Sequence, residues 1–310
     1  MDVAIGIIPV RFGSTRFPGK PLIDLCGKPM IQWVYEQTQK SKSLEQVIVA
    51  TDDERIYEAV AGFGGYALMT SKDHTCGTSR VAEVAEGLSA EIIINIQGDE
   101  PLIEPDMINQ LVQGMQSDPV VYMATLKKRI TNKNDVNNPH VVKVVTDRNG
   151  FALYFSRAGI PYAREGRRQE AGGRIQNTDN AGQITVAAGL VPATGRTNKQ
   201  EAEDRSQSVG ADLCVCPDNI PSPHWYKHVG LYGYRREFLL KINNLPYSSL
   251  EAMESLEQLR ILENGYKIKV VETEYDTIGV DTHDDLVKVA GVMREIKIQD
   301  TEFRSQDSHN

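Results

Sequence analysis

Short runs of apolar, often β-branched residues alternate with helical patterns from residue 3 to residue 115 of this 310-residue chain. The apolar runs cover 3–9, 46–50, 66–69 and 92–96, and the helical patterns cover 30–40, 54–63, 81–88 and 105–115. Parallel strands need a long crossover between them, which is usually a helix. The alternation therefore predicts an α/β fold with a doubly wound, mainly parallel sheet that is buried on both faces.

The pattern changes after residue 120, where three strand-like runs follow one another with little helix between them. These runs cover 120–126, 141–146 and 151–155, and a turn is expected at 147–150. They predict an antiparallel extension of the sheet. The remaining expected elements are a strand at 229–234, a helix at 250–263, a strand at 266–272, a helix at 282–296 and a frayed polar tail from 299.

The stretch between Ala163 and Pro223 contains no aromatic residue and is dominated by Gly, Asn, Gln, Thr and charged residues. A stretch of this length without a regular pattern is uncommon inside a compact domain, so it is either a mobile insertion or a small appended lobe. We expect a mobile insertion at about 165–223 within a single domain over 1–298, followed by a polar tail at 299–310.

A basic loop follows the first predicted strand. It carries the cations Arg11, Arg16 and Lys20, the hydroxyl of Ser14, and two glycines. Loops at the carboxyl ends of strands face the ligand-binding edge of an open α/β sheet, and such a loop can surround a polyanion such as a nucleoside triphosphate. It matches neither G-x-G-x-x-G nor G-K-[ST], so a solvent-exposed basic loop is an equally good explanation when the loop is considered alone.

Two carboxylates occupy comparable positions. Asp99 follows a strand in which Asn95 is the one polar residue among apolar ones, and Asp281 follows an apolar turn before a helix. Two carboxylates that share a site with substrate phosphates are typical of Mg²⁺ binding. Capping of the following helix is the alternative for each, and it is as good an explanation for Asp281.

Other polar residues at the expected sheet edge have structural explanations as well. Arg80 could clamp an acidic substrate or be a surface arginine, and His228 could be a core histidine. Glu257 and Gln258 would be a solvated helix face by periodicity alone.

Composition limits the partners and the compartment. The net charge of −8 argues against a general nucleic-acid binder, because nonspecific affinity for nucleic acid needs surplus Lys and Arg. We find no apolar run long enough for a membrane span and no signal-type N-terminus, so we expect a cytoplasmic protein with no membrane contact. The four cysteines fit neither a zinc pattern nor a disulfide framework, and we expect reduced thiols.

Taken together, the motifs resemble those of the 3-deoxy-manno-octulosonate cytidylyltransferase family, in the family's order and over nearly the whole chain. The main resembling blocks are IPVRFGSTRFPGKPL (8–22), GKPMI (27–31), GTSR (77–80), NIQGDEPLI (95–103), ALYFSR (152–157), HVGLYGYR (228–235), LEQLR (256–260) and GVDT (279–282). The resemblance implies a Rossmann-like nucleotidyltransferase fold. It also implies transfer of CMP from CTP to a 3-deoxy-2-ulosonic acid, Kdo or a close analogue, with pyrophosphate as the second product, for lipopolysaccharide synthesis.

The resemblance also implies roles for residues at matching positions. The residues that would bind the nucleotide are Val10, Arg11, Ser14, Lys20, Thr70, Gly77 and Asp99. The residues that would bind the sugar acid are Arg80, Gln97, Arg157, His228, Tyr232, Glu257 and Gln258. Arg11, Lys20 and Asp99 would be catalytic, and Asp99 with Asp281 would hold Mg²⁺. The segments at about 120–165 and 224–265 would bind the sugar and form a homodimer.

Three features depart from the family pattern. Val10 stands where the family usually has Ala, Cys76 stands where it usually has Ser, and the insertion at about 165–223 is extra. The insertion leaves and rejoins the sheet beside the expected sugar pocket, so it either covers that pocket and alters which sugar acid is accepted, or is a tolerated surface insertion. A cytidylyltransferase for another acid, such as a sialic acid, and a non-catalytic nucleotide or sugar sensor remain alternatives.

Overall fold

The computed structural model describes residues 2–13, 17–163 and 224–307, with side chains described as far as residue 295. The strands are β1 (Ala4–Val10), β2 (Asp24–Leu25), β3 (Lys28–Pro29), β4 (Gln46–Thr51), β5 (Ala67–Met69), β6 (Ile92–Asn95), β7 (Met123–Arg129), β8 (Lys143–Thr146), β9 (Ala152–Ser156), β10 (Tyr226–Arg235) and β11 (Ile268–Glu272). The helices are α1 (Met30–Gln39), α2 (Glu54–Gly62), α3 (Gly77–Glu86), α4 (Pro105–Gln116), α5 (Arg236–Ile242), α6 (Ser249–Glu254), α7 (Gln258–Glu263) and α8 (His283–Asp307).

A nine-stranded sheet organises the described residues, in the order β11-β7-β10-β6-β1-β4-β5, with β8 pairing with β10 and β9. Neighbours from β6 to β5 are parallel, whereas β10 runs antiparallel to both β6 and β7. The predicted α/β fold, a mainly parallel sheet with an antiparallel extension, is confirmed. Because β10 returns to the middle of the sheet after the insertion, the chain on both sides of residues 164–223 shares one sheet.

Apolar side chains cover both faces of the sheet, as doubly wound strands require. On one face, α1 and α4 contribute Ile31, Val34 and Leu111 to the core. On the other face, Val81 of α3 and Leu259 of α7 pack with residues of β1 and β6. The strands therefore end in a row between two helical layers, and the loops after β1 and β6 meet at one edge.

Several predicted boundaries need correction. The predicted helix at 250–263 is two helices, because Ser255 adopts a left-handed conformation with φ 52° between α6 and α7. Helix α5 was not predicted, since its seven residues are too few to display a periodicity. The predicted strand at 120–126 is displaced to β7, and α8 continues to Asp307 where a frayed tail was expected. The insertion at about 165–223 lies outside the described residues.

Three local features concern a helix cap, the cysteines and helix length. Asp53 caps α2, because its side chain accepts a hydrogen bond from the backbone N–H of Arg55 at 3.1 Å. Cys26 and Cys76, the two cysteines in the described part of the chain, form no disulfide. Among the described helices, none is both long and apolar enough to cross a membrane.

Candidate active site

A cavity of about 260 Å³ lies at the carboxyl ends of β1 and β6, and we call it the first cavity. Its walls come from the loop after β1, the loop before α3, the loop after β6 and the segment before α8. The candidate residues on these walls are Val10, Arg11, Lys20, Gly77, Arg80, Gln97, Asp99 and Asp281. The expected meeting of the basic loop with both carboxylates is therefore observed.

Lys20 occupies the centre of the acidic pair. Its Nζ donates to Asp99 Oδ2 at 2.6 Å and to the carbonyl of Val280 at 2.7 Å, and it lies 3.5 Å from Asp281 Oδ1. The backbone N–H of Val280 donates to the carbonyl of Asp99 at 2.9 Å, which holds the segment before α8 against the loop after β6. One ammonium group thus lies between two carboxylates that come from positions far apart in the sequence.

The loops approach closely because a glycine stands at the crossing point. A Cβ placed on Gly98 would lie 2.2 Å from Val10 Cγ1 and 3.3 Å from the carbonyl oxygen of Pro9. Gly19 supplies a second turn with φ 72°, and its N–H donates to the carbonyl of Phe12 at 3.0 Å. Lys20 is therefore turned back toward Asp99.

The pair of carboxylates fits a magnesium ion that also binds phosphate. Asp99 and Asp281 provide hard oxygen donors, and a cation already lies between them in the form of the Lys20 ammonium. Within the described residues no group of three His, Cys, Asp or Glu side chains could hold a metal. Mg²⁺ commonly takes only one or two protein carboxylates and completes its shell with substrate phosphates and water, so the donor set suits it.

Arg80 lies in the first cavity, away from most other residues predicted to bind the sugar acid. Its side chain is buried, donates to Thr70 Oγ1, and donates to Asp52 Oδ2 at 2.9 Å. The buried guanidinium therefore ties α3 to the ends of β4 and β5. Thr70 is buried and does not line the first cavity, so its binding of a nucleotide stays a prediction.

Cys76 and Val10, the two single-residue departures from the family pattern, have local explanations. Cys76 caps α3, since its Sγ accepts a hydrogen bond from the N–H of Ser79 at 3.4 Å, as a Ser hydroxyl could do. Val10 packs against Gly98. Ser14 and Arg16 of the basic loop lie outside the described residues.

A second cavity of about 600 Å³ adjoins the first, and both are lined by Gly77, Gln97 and Asp281. Six of the seven residues predicted to bind the sugar acid line it, namely Gln97, Arg157, His228, Tyr232, Glu257 and Gln258. The arrangement can hold a polyanion in one chamber and a polar molecule in the next, with contact between them at the shared wall.

His228 and Tyr232 project from β10 into the second cavity. His228 Nε2 lies 2.9 Å from Thr125 Oγ1, and its ring contacts Phe155 with centroids 5.0 Å apart. Burial lowers the pKa of His228 to about 3, so the imidazole is neutral near pH 7. Burial likewise raises the pKa of Tyr232, whose hydroxyl donates to Gln258 Oε1 at 3.5 Å. His228 and Tyr232 therefore form an uncharged part of the cavity wall that can form hydrogen bonds.

Glu257 and Gln258 reach the cavity because the chain bends at Ser255. Glu257 Oε2 accepts a hydrogen bond from Thr78 Oγ1 at 2.7 Å, which joins α7 to α3. Burial raises the pKa of Glu257. The periodicity that suggested a solvated helix face is therefore misleading for both residues, since neither is exposed.

Arg157 donates mainly to backbone carbonyls. Its Nε donates to the carbonyl of Glu254 at 2.7 Å, and one terminal nitrogen donates to the carbonyl of Pro139 at 3.1 Å. The carbonyl of Arg157 itself accepts from Lys143 Nζ at 2.6 Å. Arg157 thus joins three segments of the wall, and its binding of a substrate stays a prediction.

Sequence reasoning missed several polar residues of the second cavity, among them Asn95, Glu100, Lys227 and Asp276. Lys227 Nζ donates to Asp276 Oδ1 at 2.5 Å across the cavity rim. Burial, together with the neighbouring Asp99, raises the pKa of Glu100 to about 8. The available signals were the position of Asn95 at the end of a buried strand and of Glu100 directly after Asp99.

Comparison with known proteins identifies similar chains. A sequence profile of the family described as Cytidylyltransferase matches residues 5–268. The 3-deoxy-manno-octulosonate cytidylyltransferase of Geobacter sulfurreducens is 48% identical over 283 residues, which cover 91% of this chain and 96% of that protein. The protein of the same name from Fusobacterium nucleatum is 44% identical over 95% of this chain and 98% of its own length.

Solved structures agree with these relatives. The structure of CMP:2-keto-3-deoxy-manno-octonic acid synthetase complexed with CTP matches with a TM-score of 0.74 and 38% identity, covering 94% of this chain and 99% of the other. A 4-diphosphocytidyl-2C-methyl-D-erythritol synthase from Anaerococcus prevotii matches with a TM-score of 0.52 at 10% identity over 94% of this chain and 99% of the other, which shows a shared fold alone.

Proposed function

The chain belongs to the 3-deoxy-manno-octulosonate cytidylyltransferase family, and we propose that it transfers CMP from CTP to 3-deoxy-manno-octulosonate (Kdo), releasing pyrophosphate, for lipopolysaccharide synthesis. The observation that carries the proposal is the junction of the two cavities. Lys20 and Asp99 lie on one side of the wall formed by Gly77, Gln97 and Asp281, and the polar second cavity lies on the other.

CTP would lie in the first cavity with its triphosphate toward the basic loop. Arg11 and Lys20 would bind phosphate oxygens, and Gly98 would let the loop after β6 come close to the nucleotide. Asp99 and Asp281 would hold Mg²⁺. When bound, that ion supplies charge neutralisation at the α-phosphate and at the pyrophosphate. Lys20 already contacts both carboxylates, so its ammonium stays beside any phosphate that they bring in.

Kdo would lie in the second cavity, with its anomeric hydroxyl toward the shared wall. The hydroxyl oxygen forms a bond to the α-phosphorus, the bond from that phosphorus to the bridging oxygen of the β-phosphate breaks, and the hydroxyl proton passes to solvent. His228, Tyr232 and Gln258 would orient the sugar through hydrogen bonds. No covalent enzyme intermediate is needed, because positioning and charge stabilisation accelerate such an in-line displacement.

The assay for the proposal is pyrophosphate release from CTP in the presence of Mg²⁺ and one sugar acid at a time. We expect release with Kdo and none when the sugar acid is omitted or when CTP is replaced by ATP. Faster turnover with a sialic acid than with Kdo would favour the other cytidylyltransferase. Binding of CTP without turnover of any sugar acid would favour the non-catalytic sensor.

We also propose a cytoplasmic homodimer. The support for the dimer is the family, and light scattering of the purified full chain measures it directly. A mass equal to one chain of 34.5 kDa across the concentrations of the assay would contradict the dimer.

A further inference from the structure

Buried polar atoms without hydrogen-bond partners are concentrated at the second cavity. Within the described residues there are five such side-chain atoms, and three belong to residues that line this cavity: Asn95 Oδ1, Glu100 Oε2 and Gln258 Nε2. The other two are Gln110 Oε1 and Arg235 Nε. Native proteins pair more than about 90% of their buried polar groups, so a cluster of unpaired ones needs a cause.

Asn95 is the clearest of the three. It is the last residue of β6, it is 1% exposed, and its neighbours across the sheet are Ile7 on β1 and Tyr232 on β10. The rest of β6 is Ile92, Ile93 and Ile94, all fully buried. An apolar side chain would satisfy this position, whereas an amide with an unpaired oxygen costs stability.

Gln258, the first residue of α7, lines the second cavity together with Asn95. It is 3% exposed, its Oε1 accepts from the Tyr232 hydroxyl at 3.5 Å, and its Nε2 has no partner among the described residues. Paired residues on neighbouring strands lie side by side on one face of a sheet, so Tyr232 lies next to Asn95 and also contacts Gln258. We call Asn95, Tyr232 and Gln258 the polar floor of the second cavity.

The two unpaired atoms are complementary in kind. Asn95 Oδ1 accepts a hydrogen bond and Gln258 Nε2 donates one, and a hydroxyl group can do both. A carboxylate would satisfy only the donor. Glu100 is left out, because it is an acidic side chain that directly follows Asp99 and not an amide of the polar floor.

We propose that Asn95 is a substrate-binding residue, and that its amide together with that of Gln258 binds one hydroxyl group of the ulosonic acid on the polar floor. The inference rests on the proposed function and extends it, since it names the chemical group that this part of the cavity recognises. A site that leaves buried amides unpaired when the hydroxyl is missing discriminates strongly against substrates that lack it.

The test is Asn95→Leu, which keeps the size of the side chain and removes the amide. We expect KM for Kdo to rise about tenfold or more, as the loss of one such hydrogen bond predicts, with KM for CTP unchanged. The Tm should stay the same or increase, because an unpaired buried polar group has been removed. A purely structural amide would give the opposite result, a lower Tm with both KM values altered together.

Gln110→Leu is the matched control. Gln110 also has a buried amide oxygen without a partner, but it lies on α4 and lines neither cavity. It should leave both KM values unchanged. If Asn95→Leu is not recovered folded, Asn95→Ala is judged by the same ratio of KM values.

An unchanged KM for Kdo in a stable Asn95 variant, with an active wild-type enzyme, overturns the inference alone. Absence of turnover by the wild-type enzyme with every sugar acid overturns the proposed function and the inference with it. The activity of the wild-type enzyme therefore separates the two failures.

Discussion

Replacing Lys143 by Met tests whether one buried ammonium group holds the wall of the second cavity. Lys143 is 0% exposed, and its Nζ donates to the carbonyls of Asn138, Val141 and Arg157 at 2.8, 2.6 and 2.6 Å. These carbonyls belong to the segment before β8 and to the residue directly after β9. The segment before β8 also lines the second cavity.

The magnitude follows from the three bonds. Each hydrogen bond from a charged donor contributes about 1.5–3 kcal/mol, and removing the ammonium from water offsets several kcal/mol of that gain. Met keeps most of the volume but leaves three carbonyls without their donor. We expect the free energy of unfolding to fall by about 3 kcal/mol, which lowers the Tm by about 6–12 °C in a domain of this size.

Thermal unfolding and steady-state kinetics measure the two consequences. Because the segment before β8 loses its anchor, KM for Kdo should rise several-fold while KM for CTP is unchanged. Lys127→Met is the matched control: Lys127 Nζ donates to Thr146 Oγ1 at 3.0 Å, and the residue lines neither cavity. Its loss should cost about 1 kcal/mol. Equal Tm shifts in the two variants, with an unchanged KM for Kdo, would refute the reasoning.

Two further predictions use the other walls. Burial lowers the pKa of His228 to about 3, whereas the same imidazole in the unfolded chain takes up a proton near pH 6.5. Between these two values the folded state binds fewer protons than the unfolded state. The free energy of unfolding should therefore fall by up to about 1.4 kcal/mol per pH unit as the pH falls from 6.5 toward 3. Urea unfolding at pH 7.5, 6 and 5 should show this slope in the wild type and a weaker one in His228→Gln; equal slopes would contradict it. Gly98→Ala should raise KM for CTP, because the new Cβ would lie 2.2 Å from Val10 Cγ1. Gly230→Ala is its control, since the nearest atoms to the added Cβ are 3.9 Å away and Gly230 lines the second cavity. This control should leave KM for CTP unchanged. An equal effect of both substitutions on KM for CTP would count against the close approach of the loops.

The meeting of the basic loop with Asp99 and Asp281 could be predicted from the sequence. Parallel strands present their carboxyl ends at one edge of the sheet. The loop after β1 and the carboxylate after β6, the fourth strand predicted from the sequence, must therefore lie near each other. The observed distance of 2.6 Å between Lys20 Nζ and Asp99 Oδ2 agrees with that rule. The rule places residues at an edge, but it gives no side-chain partner.

What could not be predicted depends on contacts between distant segments. The pairing of Arg80 with Asp52 buries an arginine that looked equally suited to a surface, and local sequence carries no sign of it. The left-handed Ser255 divides a helix whose periodicity continues across it, because a left-handed residue other than Gly has no reliable signature. Asn95 was visible as a polar exception in an apolar strand, but only the assembled cavity shows that its oxygen is unpaired.

The most direct test of CMP transfer in this cleft is pyrophosphate release from CTP and Kdo, measured for the wild type and for Asp99→Asn under the same Mg²⁺ concentration. Asp99→Asn keeps the shape of the side chain and removes the charge that Lys20 contacts. We expect turnover by the wild type and a rate at least about 100-fold lower for Asp99→Asn, with pyrophosphate and the CMP-sugar formed in equal amounts by the wild type. Full turnover by Asp99→Asn, or no turnover of Kdo by the wild type, would contradict the assignment.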